Sequence, residues 1–442
     1  MFNRFINIIL SLLFPAIILV SCSSAKTESY DPNDMSYLYN PLQNRLHPKY
    51  RIYHDNDNTS TLSIKLNSSE LFFSEANPEG VPKAQMTLFY RIFNLNQGRV
   101  AIDTSLVNIP ITEKEGRRDY IFSSPFTAEA GYRYEMEIIL KDQIRNISVQ
   151  AHIPFDKSTK YNMHNFKVRG HFNGFDIFTQ VLREGDYINI LHPGLDIDTL
   201  YINYFEPFDR IPDPPSMLIP EVSLDLNPDE KIAISISDTT PVMLPRRGVY
   251  LFSPDSLSLS GYSLFNFGKT YPGLNDPGTM IYPLIYLTSQ DEIDKMLEAD
   301  NLKIALDNFW LGITNNVERS RELLRIYYNR VLYANYFFGS YKEGWQTDRG
   351  MIYTIYGPPD RVYRSAEGER WGYSKPRIKS GWGIRYRVED EYLYFSFMKR
   401  DNPFSVNDYT LIRNESITTY WEQAVRSWMS GIVFRLDNPS DI

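Results

Sequence analysis

Ala84-Gln-Met-Thr-Leu-Phe-Tyr-Arg-Ile-Phe93 and Tyr132-Arg-Tyr-Glu-Met-Glu-Ile-Ile-Leu140 alternate apolar and polar residues with a period of two. That alternation marks strands with one buried face and one wet face. Similar runs surround them: Thr61–Leu66, Arg99–Asp103, Arg118–Phe122 and Asn146–Ile153, separated by Gly, Pro and Asn turns. Their spacing predicts an immunoglobulin-like β-sandwich over residues 48–156. The Cys–Trp–Cys core of antibody domains is missing, so the likeness is one of architecture.

Residues 157–268 repeat the theme less regularly. Val168, Phe175–Phe178, Tyr187–Leu191, Leu200–Tyr204, Ile232–Ile236 and Gly248–Phe252 are the strand candidates, and Pro207 to Pro220 forms a stiff connection. A second sandwich is expected there. Helix dominates after residue 285. Ser289 is placed to cap Gln290–Ala299, whose acidic first turn suits the helix dipole, and Leu302–Gly312 follows. Asn315 is placed to cap residues 316–338. In that helix Val317, Leu324, Tyr327, Val331, Ala334 and Phe338 form one apolar stripe, and Gly339 stops it. Near the end, Ser416 is placed to cap Ile417–Met429 ahead of Gly431.

Between these helices lie Glu343-Gly-Trp-Gln-Thr-Asp-Arg-Gly350, Met351-Ile-Tyr-Thr-Ile-Tyr-Gly-Pro-Pro-Asp360 and Arg370-Trp-Gly-Tyr373. Thr347 can cap a helix with Asp348 in its first turn, and Gly357-Pro358-Pro359 would end it. A strand over Met351–Tyr356 is the competing reading, because Ile and Tyr favour strands. Three strands are expected next: Arg361–Ser374, Gly383–Val388 and Tyr392–Met398, the last two joined by an acidic turn at Val388–Tyr392.

With the upstream residues 327–338, this run resembles the GWxTD domain, a family frequent in bacterial envelope proteins. Gly344, Trp345, Thr347 and Asp348 match its signature. Arg349, Gly350, Gly357, Pro358, Pro359, Asp360, Trp371 and Tyr373 continue the ordered pattern within residues 285–430. The resemblance implies a module and supplies no reaction. The pattern of helix, Gly-Pro and three strands carrying Trp-x-Tyr is also similar to small lipoproteins that accompany the outer-membrane β-barrel assembly machinery. The expected fold class is therefore multidomain: mainly β, with an α+β C-terminal part. Two immunoglobulin-like sandwiches precede helices over 290–338. A helix plus three-stranded antiparallel module over 344–400 and a helix over 416–429 complete it.

The first residues carry Arg4, then an apolar run from Phe5 to Val20 broken by Pro15. Such a run is a secretory h-region rather than a membrane span. Leu19-Val20-Ser21-Cys22 fits the lipobox of bacterial lipoproteins, and Cys22 is the sole cysteine. The expectation is a signal peptide over 1–21, cleavage before Cys22, acyl chains on that sulfur, and a flexible tether over 22–47. Ser23-Ser-Ala-Lys-Thr-Glu28 lacks an acidic run, which favours an outer-membrane anchor facing the periplasm. The remaining 420 or so residues suit two to four domains.

The net charge of −8 is spread along the chain, which argues against nucleic acid. His47, His54, His152, His164, His171 and His192 show no metal-ligand spacing, and phosphate-loop and nucleophile-elbow motifs are lacking, so no metal, cofactor or catalytic residue is assigned. Asp348 and Arg349 read first as a helix cap and an ion pair, and second as a catalytic pair. Trp345, Trp371 and Trp382 read first as core and second as a glycan platform. The expected function is a non-catalytic envelope lipoprotein docking a protein partner. A glycan or peptidoglycan binder, or an enzyme with its site at the signature, is the alternative.

Overall fold

The computed structural model describes residues 31, 33–41, 46–75, 80–195, 197–215, 217, 223–235, 241–381 and 384–436. Cys22 with its expected signal peptide, Ile236 and Trp382 lie outside the described residues. The chain divides into two units, Met1–Asp34 and Met35–Ile442. Within the first, the described residues make a turn in which Asp34 N donates to Asp31 O (3.1 Å). All that follows concerns the second.

Seven strands build the first β region: β1 (Lys49–His54), β2 (Thr59–Asn67), β3 (Lys83–Asn94), β4 (Val100–Thr112), β5 (Asp119–Thr127), β6 (Arg133–Asp142) and β7 (Ile147–Asp156). They form two antiparallel sheets, ordered β1-β2-β5 and β4-β3-β6-β7. The period-two pattern sets the inner faces: Met86, Leu88, Tyr90 and Ile92 of β3 and Met136, Ile138 and Leu140 of β6 are buried together with Leu62, Ile64 and Leu66 of β2. Phe126 of β5 meets Tyr90 (6.4 Å) and Phe155 of β7 (5.5 Å) edge-on, so the sheets close on one core. At the start of β6 the Tyr134 hydroxyl donates to Glu129 O (2.8 Å), pinning the connection from β5.

The second β region pairs a small ribbon, β8 (Lys167–Gly170) with β9 (Ile188–Leu191), against a four-stranded antiparallel sheet. The sheet runs β11-β10-β12-β13, from β10 (Thr199–Phe205), β11 (Glu230–Ser235), β12 (Gly248–Ser253) and β13 (Tyr262–Asn266). Phe175–Phe178, expected as a strand, contributes only an isolated bridge at Asp176. Val168, Ile188 and Ile190 of the ribbon pack on Leu200, Ile202, Phe252 and Leu264. The other face of the sheet, through Phe205, Val249, Leu251 and Phe265, packs on Tyr341 and Phe404. Strands β12 and β13 thus have no wet face, which is why Gly248–Phe252 reads as an unbroken apolar run.

Six helices follow in the C-terminal part: α1 (Pro277–Ile281), α2 (Gln290–Leu297), α3 (Leu302–Thr314), α4 (Val317–Phe338), α5 (Asp348–Tyr356) and α6 (Glu415–Met429). Ser289 caps α2 in a reciprocal capping box with Glu292. Asn315 is not the cap of α4. It ends α3 in the left-handed region (φ 51°), and Asn316 Oδ1 accepts from Arg319 N instead (2.9 Å). In α4 the buried stripe keeps Tyr327, Val331, Ala334 and Phe338 and adds Leu323, while Val317 is exposed. For α6 the cap is Asn414, two residues before the expected Ser416. The signature segment is helix, not strand.

The module's sheet has four strands rather than three: β14 (Arg361–Arg364), β15 (Gly368–Gly381), β16 (Ile384–Lys399) and β17 (Tyr409–Leu411), in that order and antiparallel. The expected turn at Val388–Tyr392 lies inside β16, with Glu391 opposite Lys375. Acidic residues alone do not reverse a chain. The pairing instead runs on to Gly381 opposite Ile384. Finally, Ser36–Tyr39, within the expected tether, forms a 3-10 helix against this module, with Met35 N donating to Val362 O (2.8 Å).

Candidate functional site

The signature occupies a 3-10 turn, Gly344–Gln346, wedged between α4 and α5. A methyl group at Gly344 would run into the carbonyl of Ala334, and one at Gly350 into the carbonyl of Gly344. Only glycine lets the three backbones approach this closely. Trp345 is buried: its N–H takes Asn335 Oδ1 (3.0 Å), its carbonyl accepts from the Tyr286 hydroxyl (2.6 Å), and its indole donates to Glu343 Oε2 (3.1 Å). Burial pushes the Glu343 carboxyl up, while Arg247 (3.0 Å) and that indole oppose the shift. Thr347 caps α5, accepting from Gly350 N (3.0 Å) and donating to Gly344 O (2.7 Å).

Asp348 does not face open solvent. Its two oxygens accept from Leu411 N (2.8 Å) and Arg413 Nη2 (2.8 Å), tying α5 to β17. Arg349 is fully buried beneath the Tyr409 ring (3.8 Å). It donates to Glu369 Oε1 (3.2 Å), to Asn407 O (3.2 Å) and to Asn407 Oδ1. Glu369 gathers four donors: Arg349, Arg364 Nε (2.7 Å), the Tyr39 hydroxyl (2.8 Å) and Trp371 Nε1 (3.0 Å). Burial raises its carboxyl, but Arg364 and Arg349, with the indole and phenol donors, outweigh that and hold it at about 2.

The remaining signature residues serve the far end of α5. Gly357 takes a positive φ (85°), and its carbonyl accepts from the buried Tyr373 hydroxyl (2.9 Å). Pro359 is buried, Pro358 is exposed, and Asp360 Oδ2 accepts from Ser374 N (2.7 Å). Clefts of about 700 and 470 Å3 lie elsewhere, and neither includes a signature residue. What these residues do chemically is satisfy one another. Buried Trp345 and Trp371 offer no exposed platform to a glycan.

Sequence reasoning misses Tyr39, Arg364, Glu369 and Asn407. Glu369 directly precedes Arg370-Trp371, yet an isolated glutamate in a strand gives no sign of burial, and Tyr39 lies 330 residues away. It also misses a trio on the first β region, Glu135, Glu137 and His152. Those carboxylates already pair with Arg99 (3.1 and 2.7 Å) and Arg91 (2.7 Å), which makes an ion-pair ladder across the sheet.

Residues 248–430 match the model of a family described as the GWxTD domain. A GWxTD domain occupies this part of the chain. Its matched span reaches back to β12 and β13, upstream of residue 285, so the GWxTD domain takes in strands of the doubly buried sheet. No curated protein matches the chain. Among solved structures, a Bacteroides uniformis β-glucuronidase is similar over 28% of this chain and 13% of its own (14% identity, TM-score 0.18). Bacteroides uniformis β-glucuronidase 2, covalently bound to cyclophellitol-6-carboxylate aziridine, is similar over 28% of this chain and 15% of its own (17% identity, TM-score 0.16). The chain spans only a small part of either enzyme's length.

Proposed function

We propose that the protein is a non-catalytic, lipid-anchored envelope scaffold in which the GWxTD domain is a rigid docking unit rather than an active site. One observation carries the reading: every ionisable signature side chain is consumed by partners within the fold, Asp348 by Arg413 and Arg349 by Glu369. A catalytic carboxylate or base needs to reach substrate, and these do not. The tyrosine pin at Tyr134 and the strand order of the first β region support an immunoglobulin-like sandwich, a fold suited to an arm or spacer.

The lipobox supports anchoring through acyl chains on Cys22, on the periplasmic side of the outer membrane. Among the described residues no helix is long and apolar enough to cross a membrane. Mass spectrometry of the mature chain from envelopes is expected to find its N-terminus at Cys22 with the mass of the acyl chains added. A mature chain that starts elsewhere, or a Cys22 without that mass, would refute the anchor. Affinity purification from solubilised envelopes should recover a stoichiometric protein partner. Recovery of the protein alone in several mild detergents would count against the scaffold.

A further inference from the structure

A cleft of about 700 Å3 lies far from the signature in the fold, where β1 of the first β region meets the β8–β9 ribbon. Its wall includes Tyr53, Lys167, Arg169, His171, Asn189 and His192. Lys167 Nζ sits 4.9 Å from the centre of the Tyr53 ring. Arg169 Nε donates to Asp176 Oδ1 (3.1 Å), which fixes the guanidinium by one edge. His171 Nδ1 lies 2.9 Å from Asn189 Oδ1. His192 Nε2 donates to Lys160 O (2.6 Å). That leaves its buried Nδ1 as an acceptor with no partner among the described residues. Burial lowers the His192 pKa, which keeps the ring neutral and accepting.

Next to His171, outside the lining of the cleft itself, stand exposed aromatic rings. Phe172 is 82% exposed, and its ring leans on His171 (5.0 Å) and Tyr187 (5.7 Å). Phe175, in the same turn, is also exposed. A purely apolar partner would leave Lys167 desolvated without counter-charge, which is costly. Nucleic acid demands a longer basic track than two cations on a chain of net charge −8. A sugar acid answers each feature: its carboxylate suits the cations, its hydroxyls suit the His192 acceptor, and its apolar face suits an exposed ring.

We propose that this cleft binds an acidic saccharide, a short hexuronate-bearing glycan, with carboxylates on Lys167 and Arg169 and one sugar face against Phe172. The site is separate from the GWxTD signature and does not rest on the scaffold reading. Calorimetric titration of the detergent-solubilised full chain with trigalacturonate and triguluronate tests it, with maltotriose as neutral control and citrate as a non-sugar tricarboxylate. At least one uronate should bind at least tenfold more tightly than maltotriose and citrate. Lys167→Ala and Phe172→Ala should each weaken that binding about tenfold. Phe172 is so exposed that its removal leaves the fold intact, and an unchanged thermal unfolding midpoint would confirm this. Binding of neither uronate, citrate binding as tightly, or full affinity in the Phe172→Ala variant would each overturn the proposal.

Discussion

Gly344 shows what the signature is for. Its missing side chain is the space in which the Ala334 carbonyl sits, so a Gly344→Ala variant must push α4 away from the signature turn. Overpacking of that kind costs about 3 kcal/mol. Gly312, inside α3, is the natural control, because a methyl group added there would meet only open space. Gly312→Ala should be neutral or stabilise by up to about 1 kcal/mol, because alanine is the better helix former. Urea midpoints of the two variants should therefore move in opposite directions, and equal shifts would contradict this account of the motif.

Glu369 is the second decisive residue. Glu369→Gln leaves the buried Arg349 and the partly exposed Arg364 without their carboxylate and should cost about 3–5 kcal/mol in urea unfolding. Its folded pKa of about 2 lies below the unfolded glutamate value near 4.3, so its stabilisation is complete above about pH 4.3 and is lost as pH falls towards 2. Unfolding free energy measured from pH 6 to 2 should fall less steeply in the glutamine variant across that window. The two residues are unequally legible in the sequence. Gly344 stands in a motif whose spacing announces it, whereas Glu369 becomes central only because the fold brings Tyr39 and Arg349 to it from elsewhere in the chain.

Among the elements, the short 3-10 helix Ser36–Tyr39 has the largest effect for its size. The Tyr39 ring contacts Phe338 (5.0 Å) and Trp371 (5.2 Å), and its hydroxyl joins the Glu369 cluster. Tyr39→Phe keeps the ring contacts and removes a hydrogen bond to a charged acceptor, worth about 2 kcal/mol. Hydrogen exchange at the Met35 amide, which donates to Val362, should quicken in that variant before the β6 amides respond. The helices can be read from their caps to within a residue or two, because cap chemistry is local. The β15–β16 hairpin cannot, because an acidic cluster resembles a turn in sequence, while the pairing that extends β16 through it depends on the partner strand.

At the scale of the whole molecule, the β10–β13 sheet matters most, because its strands β12 and β13 are buried on both faces. Phe404 packs on Phe205 (4.8 Å) and Phe208 (5.7 Å), joining that sheet to the segment after β16. Phe404→Ala should cost about 3–5 kcal/mol. It should also split the calorimetric unfolding of the full chain into two transitions, where the parent, one unit from Met35 onward, is expected to show one. A single sharp transition in the variant would mean that the β regions and the GWxTD domain are coupled elsewhere. The unbroken apolar run of β12 hints at burial on both faces, but nothing in it reveals what covers the second.

The Tyr39–Glu369 contact also constrains the order of biosynthesis. Tyr39 leaves the ribosome long before its acceptor, 330 residues later, which at about 5–20 residues per second is a wait of roughly 15–65 seconds. Until then its apolar neighbours have no core to enter, so the N-terminal segment stays unfastened while the β regions form. A nascent chain truncated before Glu369 therefore lacks the fastening of its N-terminal segment.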